Sequence, residues 1–260
     1  MLNYIKLQWV RCKTLQAYRS GDWKEITIKE NGEPLVKIPK EISFPYYSRV
    51  MKLTDNKEIY LRQKVFNKIK KARLFLQREG FDLKVYDGWR GAELQENLFW
   101  YYMRAFTAKQ FGKKEELEQF NTLSEIKIRF EIFSPEIQAA MIGANRTYVS
   151  LPSKNPLCPS PHTTGGAVDV WLFKDNKAAN LGVPFDWMKK NAGAFYHLKF
   201  KRKRFLGNDS QICHNREILL LAMIKAGFSC YGPEIWHFNY GNQMDALVKG
   251  GHAIYSYIEP

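Results

Sequence analysis

The 260 residues are 45% hydrophobic and 15% aromatic, a composition typical of a chain that folds around a sizeable core and not of a disordered one. The formal net charge is +14, with the lysines spread along the chain and not collected in one tail. No run approaches the roughly 18 consecutive apolar residues of a membrane-spanning helix, so no transmembrane segment is predicted.

The densest basic run is KFKRKRF, from Lys199 to Phe205, with four consecutive cations at Lys201–Arg204. We interpret this run as a solvated loop, and an anion-binding patch is the alternative. No zinc finger, helix-turn-helix signature or aromatic RNA-binding motif accompanies it. The sequence therefore predicts no nucleic-acid partner.

The cysteines and the amino terminus bear on the cellular compartment. The four cysteines form no C-x-x-C pair, so neither a thiolate zinc cage nor a redox pair is predicted. The first 20 residues lack both a continuous apolar core and a small-residue cleavage site, so we expect no signal peptide. These features favour a cytoplasmic rather than a periplasmic location. No feature of the sequence predicts the oligomeric state.

In the first third of the chain, residues 1–57 are predicted to form short strands and loops, with Asn31-Gly32 as a hairpin turn. Apolar residues then recur at helical spacing from Glu58 to Glu79, and Gly80 supplies a stop signal. The stretch FDLKVYDGW alternates like a strand.

Further along, residues 92–111 are predicted to be helical, and the charged, weakly periodic residues 104–130 look like an inserted segment. A proline-rich loop follows at 151–161, a strong helix at 214–227, and two paired strands in FSCYG and IWHFNYG. Helices and strands alternate without a regular βαβ pattern. This predicts an α+β fold in a single domain, with a central antiparallel or mixed sheet flanked by helices. Residues 1–57 would be an amino-terminal elaboration of that domain.

Two fragments carry the candidate chemistry: SPHTTGGAVDV, from Ser160 to Val170, and PEIWHFNYG, from Pro233 to Gly241. Two histidines and one carboxylate form a common ligand set for catalytic zinc, because they leave the fourth position open. His162, Asp169 and His237 supply that set. Glu234 could then act as a general base beside a metal-activated water.

The spacings set a condition on this hypothesis. Residues an odd number apart point to opposite faces of a regular strand, and His162 lies seven residues before Asp169. The two can share a metal only if the chain turns or bulges between them, which Gly165 and Gly166 would permit. Glu234 likewise has to lie in a loop before the strand of His237.

On chemistry alone, two explanations stay open: a metal site, or buried histidines that are hydrogen-bonded parts of the structure. Spacings such as H-x6-D and E-x-x-H are common by chance. We assign His197, His214 and His252 to the structural class, although His197 could line the pocket.

Beyond these fragments, the chain resembles the zinc D-Ala-D-Ala peptidases, specifically the VanX-like D-alanyl-D-alanine dipeptidase branch. The shared frame is S-x-H-x6-D followed by E-x-W-H, here SPHTTGGAVD and EIWH. The resemblance extends to a helix–strand unit ending at Arg90, to LGVPFDWM, and to the helix and strands from Asn215 to Gly241. Together these pieces cover roughly half of the chain in the expected order.

The resemblance implies a role for each matched residue. His162, Asp169 and His237 would bind one zinc ion per chain, and Glu234 would be the catalytic base. Arg90 would stabilise the oxyanion of the tetrahedral intermediate. Asp186 would hold the free amino group of a small dipeptide, and Ser160 would help to fix that dipeptide.

Departures from the family pattern and rival interpretations keep the substrate open. Trp89-Arg90-Gly91 lacks the usual tyrosine and proline, and the segment before His162 is longer than usual. Arg90 could instead be a structural ion-pair partner, and Asp186 a helix cap. A D,D- or L,D-carboxypeptidase acting on peptidoglycan stem peptides is the main alternative function. A metal-binding or wall-binding module without turnover would leave Glu234 unexplained, and a non-specific anion-binding protein would leave the motifs unexplained.

Overall fold

A computed structural model describes residues 2–120, 122–146, 149–200 and 210–260. Its centre is an antiparallel sheet of five strands in the order β3-β4-β7-β6, with β5 paired to the far end of β4. The strand bounds are Asp82–Asp87 for β3, Ala167–Lys174 for β4, Lys177–Ala178 for β5, Ser229–Cys230 for β6 and His237–Asn239 for β7. A separate antiparallel pair joins β1, Leu35–Lys37, to β2, Tyr60–Arg62.

Helices flank this sheet, as predicted for an α+β fold. Their bounds are Leu2–Ser20 (α1), Tyr46–Arg49 (α2), Gln63–Gln77 (α3), Ala92–Tyr102 (α4), Ala108–Gln110 (α5), Lys114–Glu118 (α6), Leu123–Glu131 (α7), Pro135–Asn145 (α8), Ser210–Ala226 (α9) and Gln243–Lys249 (α10). A π-helical turn, Met103–Thr107, joins α4 to α5, and short 3-10 turns lie at Trp23–Glu25, Pro161–Thr164, Lys190–Ala192 and Tyr196–Phe200.

Helices α3 and α9 pack against each other and reach the sheet through β3 and β6. Their buried faces follow the helical period, with Val65, Ile69, Ala72 and Leu76 fully enclosed on α3. Strand β4 is buried on both faces from Ala167 to Leu172, because it lies between β3 and β7 in the middle of the sheet. The site described below stands on this central strand, so its backbone is held on both sides.

The prediction for residues 1–57 is wrong in two respects. Residues 2–20 form helix α1, which packs against α9 and α10. Among residues 3–20 only Leu7 and Thr14 are fully buried, and the apolar Ile5 and Trp9 are exposed, so the sequence shows only a weak apolar stripe. Asn31-Gly32 does not turn a hairpin either, because β1 pairs with β2 and Ile28 forms a parallel bridge with Ala253.

The other predicted elements occur at or near their predicted positions, except that the helix predicted from Glu58 begins only at Gln63, because Tyr60–Arg62 form strand β2 and pair with β1. Within residues 104–130, the helical parts are the π-helical turn and helices α5, α6 and α7. That residues 1–57 are an elaboration and 104–130 an insertion stays a prediction, and Lys201–Arg204 lie outside the described residues. In the part of the chain that the structure describes, no helix has the length and apolar character needed to cross a membrane. The cytoplasmic location stays a prediction.

Candidate metal centre and active site

Three polar side chains stand in one row across the middle of the sheet. Asp87 on β3 and His237 on β7 are both paired with Asp169 on β4, the central strand. A bulge between Val85 and Asp87 shifts the register, so that Asp87 comes opposite Asp169. Directly paired residues point to the same face of an antiparallel sheet, which brings these three buried groups together.

His162 reaches the same place from outside the sheet. It lies on the 3-10 turn Pro161–Thr164, and Gly165 then adopts a left-handed backbone with φ 67° before β4 begins. The condition set by the odd spacing is therefore met, because the chain between His162 and Asp169 is not regular strand. Glu234 likewise lies in the loop before β7, as predicted.

We expect Gly165→Ala to destabilise the protein and to weaken metal binding, because the turn that aims His162 depends on this glycine. A Cβ there would stand 2.5 Å from Leu35 Cδ2, and a left-handed alanine adds roughly 1–2 kcal/mol of backbone strain. Gly32→Ala is a matched control, since Gly32 has φ 71° but no atom within 4 Å of the added Cβ. Urea unfolding should show a larger loss of stability for Gly165→Ala; equal losses would contradict the steric part of this account.

The donor atoms of His162, Asp169 and His237 lie within 4.8 Å of one another. His162 Nε2 is 3.2 Å from His237 Nδ1, and that same Nδ1 is 3.0 Å from Asp169 Oδ1. The second carboxylate oxygen, Oδ2, is 3.5 Å from His162 Nε2. One imidazole nitrogen of each histidine and both oxygens of the aspartate thus face a common point.

The outer hydrogen bonds fix which nitrogen of each imidazole faces inward. His162 Nδ1 donates to the carbonyl of Gly88 at 2.8 Å, which leaves its Nε2 as a lone pair. His237 Nε2 donates to Asn239 Oδ1 at 3.2 Å, an oxygen that also accepts from Asn242. Two lone pairs facing each other beside a carboxylate repel unless a cation lies between them. This donor set therefore fits a metal ion, with the outer partners that such histidines usually have.

The charges at the centre also favour a cation. Burial works against a charged carboxylate, yet the imidazoles of His162 and His237 outweigh it and hold the pKa of Asp169 well below its ordinary value. Burial also works against a charged imidazole, but the neighbouring Asp169 carboxylate raises the pKa of His237. Asp169 therefore stays an anion between the two rings, as a metal ligand has to be.

Glu234 stands at the edge of this cluster and not inside it. Its Oε2 is 3.9 Å from His237 Nδ1, and its side chain is 19% exposed. Burial raises the pKa of Glu234 to about 7, and the neighbouring Asp169 and Asp186 add to that rise. A carboxylate with this pKa, next to the three candidate metal ligands, can accept and return a proton near neutral pH.

Arg90 is buried, and its ion pair is with a residue that the sequence analysis did not single out. Its Nε and Nη2 donate to Asp87 Oδ2 at 2.9 and 2.6 Å, and its Nη1 donates to Gln95 Oε1 at 2.9 Å. Its Nη2 also lies 3.8 Å from Asp169 Oδ2. Arg90 is thus a structural ion-pair partner and a neighbour of the metal-facing carboxylate at once. The D-x-x-R spacing in YDGWR was the signal that could have indicated Asp87.

A cavity of about 110 Å³ opens beside these groups. All the site residues predicted from the sequence line this cavity: Arg90, Ser160, His162, Asp169, Asp186, Glu234 and His237. Three tyrosines that were not predicted also line it, namely Tyr47, Tyr102 and Tyr231. This volume is well below the ~300–1,000 Å³ of pockets that hold drug-sized ligands. The cavity therefore suits a small substrate.

Asp186 and Ser160, two of the predicted site residues, differ in their hydrogen bonding. Asp186 begins no helix, so its interpretation as a helix cap is wrong; it has a positive φ of 63°, and its buried Oδ2 has no hydrogen-bond partner among the described residues. Burial raises the pKa of Asp186 to about 6. Ser160 Oγ donates to the carbonyl of Leu151 at 3.3 Å, so its hydroxyl is already engaged.

The remaining histidines lie apart from the metal-facing cluster. Among the described residues that line the cavity, His197 is absent, so the suggestion that it lines the pocket is wrong. His214 lies on the surface of α9 near Phe81, and His252 is exposed. None of the three joins the cluster formed by His162, Asp169 and His237 within the part of the chain that is described.

The α+β fold brings two histidines, an aspartate, a glutamate and an arginine to one small cavity. This is the arrangement of a metallopeptidase. The comparison with known families agrees: residues 120–255 match the model of the M15 peptidases described as D-ala-D-ala dipeptidase. The chain belongs to this family and is a metallopeptidase. The matched region contains His162, Asp169, Glu234 and His237, and begins after Arg90.

A curated relative from Synechocystis sp. is named D-alanyl-D-alanine dipeptidase. It is 26% identical to this chain over 233 residues, which cover 84% of this chain and 86% of the relative. The alignment thus extends well beyond the region matched by the family model, and it includes most of the length of both proteins.

Proposed function

We propose that the protein is a zinc-dependent dipeptidase that hydrolyses D-alanyl-D-alanine or a similar dipeptide derived from the cell wall. The observation that carries the proposal is the small cavity, in which three metal-facing groups, a carboxylate with a raised pKa and a separate buried carboxylate converge. Membership of the D-ala-D-ala dipeptidase family and the name of the Synechocystis relative support the choice of substrate.

His162, Asp169 and His237 would hold the zinc ion, which leaves one coordination position open. A bound zinc ion supplies Lewis-acid chemistry, because it makes water more acidic and polarises a carbonyl group. Zinc suits two imidazoles and one carboxylate, which is the donor set that faces this point.

Glu234 would act as the general base and then as the general acid. Its carboxylate takes one proton from the attacking water as the water oxygen bonds to the carbonyl carbon. It then returns that proton to the leaving nitrogen as the C–N bond breaks, so that two amino acids are released. The half-buried position of Glu234 beside His237 supports this role.

Arg90 and Asp186 would bind the substrate on either side of the reacting carbonyl. Arg90 is a permanent cation held in place by Asp87 and Gln95, and it would stabilise the negative charge that develops on the carbonyl oxygen. The buried Oδ2 of Asp186 has no hydrogen-bond partner among the described residues, and it would accept hydrogen bonds from the free amino group. Ser160 lines the cavity and would help to fix the dipeptide there.

Purified protein should release alanine from D-Ala-D-Ala, and removal of the metal with a chelator should abolish the release. Adding Zn²⁺ back should restore it, which distinguishes loss of the ion from damage to the protein. Alanine release that persists in a metal-free preparation would contradict the proposal.

One observation favours the alternative function, a carboxypeptidase acting on peptidoglycan stem peptides. A second cavity, of about 770 Å³, shares Met188, Tyr231 and Glu234 with the first. It is bounded by α1 and by residues 187–190, and it would give room to a peptide that extends beyond a dipeptide. The substrate comparison at the end of the Discussion distinguishes the two functions.

A further inference from the structure

A zwitterionic dipeptide brings three charged or polarised groups into the cavity, and the roles proposed above account for two of them. The ammonium group has Asp186, and the reacting carbonyl has the metal and Arg90. The carboxylate also needs a partner, because burying an unpaired charge is costly. Successive carbonyl carbons in an extended chain are only about 3.5 Å apart, so that partner has to line this same cavity.

Among the described residues that line the cavity, the lysine and arginine side chains are those of Arg90 and Arg146. The charge of Arg90 is already offset by Asp87 at 2.6 Å, with Asp169 at 3.8 Å, and Gln95 and Tyr47 occupy further N–H groups. Arg90 can direct a remaining N–H at an oxyanion, but it is a poor partner for a full carboxylate.

Arg146 differs from Arg90 in each of these respects. It is the C-terminal cap of α8, where its backbone N–H donates to the carbonyls of Ala144 and Ile142. Within the described residues its guanidinium takes part in no hydrogen bond or ion pair, and its side chain is exposed at the rim. It therefore keeps its full charge and its donor groups for a ligand.

The wall around Arg146 places it near the reacting groups. Arg146, Ser150 and Ser160 line both the catalytic cavity and a neighbouring one of about 330 Å³, so they form the partition between the two. Ser160 directly precedes the 3-10 turn that carries His162. A guanidinium on this partition can approach a carboxylate bound next to the metal-facing cluster, and its planar fork matches the two carboxylate oxygens.

We propose that Arg146 binds the carboxylate of the substrate and so restricts the enzyme to peptides with a free carboxyl terminus. The proposal rests on the proposed peptidase function, and it adds a carboxylate site to it. It holds equally for a dipeptide and for the carboxyl end of a stem peptide, because both have a free carboxylate.

The test compares D-Ala-D-Ala with its carboxyl-terminal amide in the wild type, Arg146→Gln and Arg146→Lys. For D-Ala-D-Ala, Arg146→Gln should raise KM by about 10- to 100-fold, the range for a lost charged hydrogen bond, while kcat changes little. The KM of Arg146→Lys should lie between those of the wild type and Arg146→Gln. Arg78→Gln is the matched control, because Arg78 is also an exposed arginine that caps a helix in right-handed backbone conformation, here α3, outside the cavity.

Binding measured by calorimetry supplies a readout that does not depend on turnover. In the Zn²⁺-loaded Glu234→Gln protein, adding Arg146→Gln should weaken binding of D-Ala-D-Ala by the same factor and leave binding of the amide unchanged. Equal weakening for acid and amide, or no effect on either, would overturn the carboxylate site. If the wild type fails to hydrolyse D-Ala-D-Ala, the proposed function is wrong, and the calorimetric comparison still decides the role of Arg146.

Discussion

Glu234→Gln is expected to lower kcat for D-Ala-D-Ala by about 10²- to 10⁴-fold, the usual contribution of a general acid–base group. Glutamine keeps the size of the side chain but cannot take up a proton. Metal content should be unchanged, because the Glu234 carboxylate lies 3.9 Å from His237 Nδ1 and outside the cluster of three facing donors. Steady-state kinetics with metal analysis of the same samples provides the measurement.

The control for this variant is Glu79→Gln, which changes an exposed glutamate just after α3 and far from the cavity-lining residues. It should retain wild-type kcat. Full activity in a folded, metal-loaded Glu234→Gln protein would show that another group moves the proton, and the proposed mechanism would then be wrong.

Asp169→Asn should abolish both metal binding and activity. Asp169 stands between the two histidines on the central strand, and it supplies the negative charge that a divalent ion requires. Loss of an outer partner of a metal ligand already costs about 10- to 100-fold in affinity, so loss of a ligand should cost more. Competition with a chromophoric chelator measures the change in affinity.

Asp175→Asn provides the matched control at the other end of β4. Asp175 is an exposed turn residue with φ 50°, a conformation that asparagine tolerates well. This variant should bind metal like the wild type. Unaltered metal affinity in Asp169→Asn would contradict the assignment of the central donor set.

The sequence predicted which side chains meet at the site better than it predicted the structure around them. The glycine pair before Asp169 and the loop before His237 were sufficient to infer that four side chains meet, and the structure brings those four together. Their roles as ligands and base stay predictions. The physical reason for this success is local, since a left-handed turn at Gly165 is encoded within a few residues.

The sequence could not indicate the buried partners of Arg90. A charged pair at i and i+3 has the same pattern on a solvent-exposed turn as in a protein interior. Only the register of β3 against β4, with its bulge, buries Asp87 beside Asp169. Helix α1 was missed for a related reason, because its weak apolar stripe becomes a buried face only through packing against α9 and α10.

Hydrolysis of D-Ala-D-Ala, L-Ala-L-Ala and a muropeptide by the same Zn²⁺-loaded preparation tests the central claim most directly. The proposed amino-group site at Asp186, in a cavity of about 110 Å³, predicts rapid cleavage of D-Ala-D-Ala and little or none of the muropeptide. The proposed D-alanyl-D-alanine specificity predicts poor cleavage of L-Ala-L-Ala. Cleavage of the muropeptide alone would contradict the dipeptidase function and would favour the carboxypeptidase.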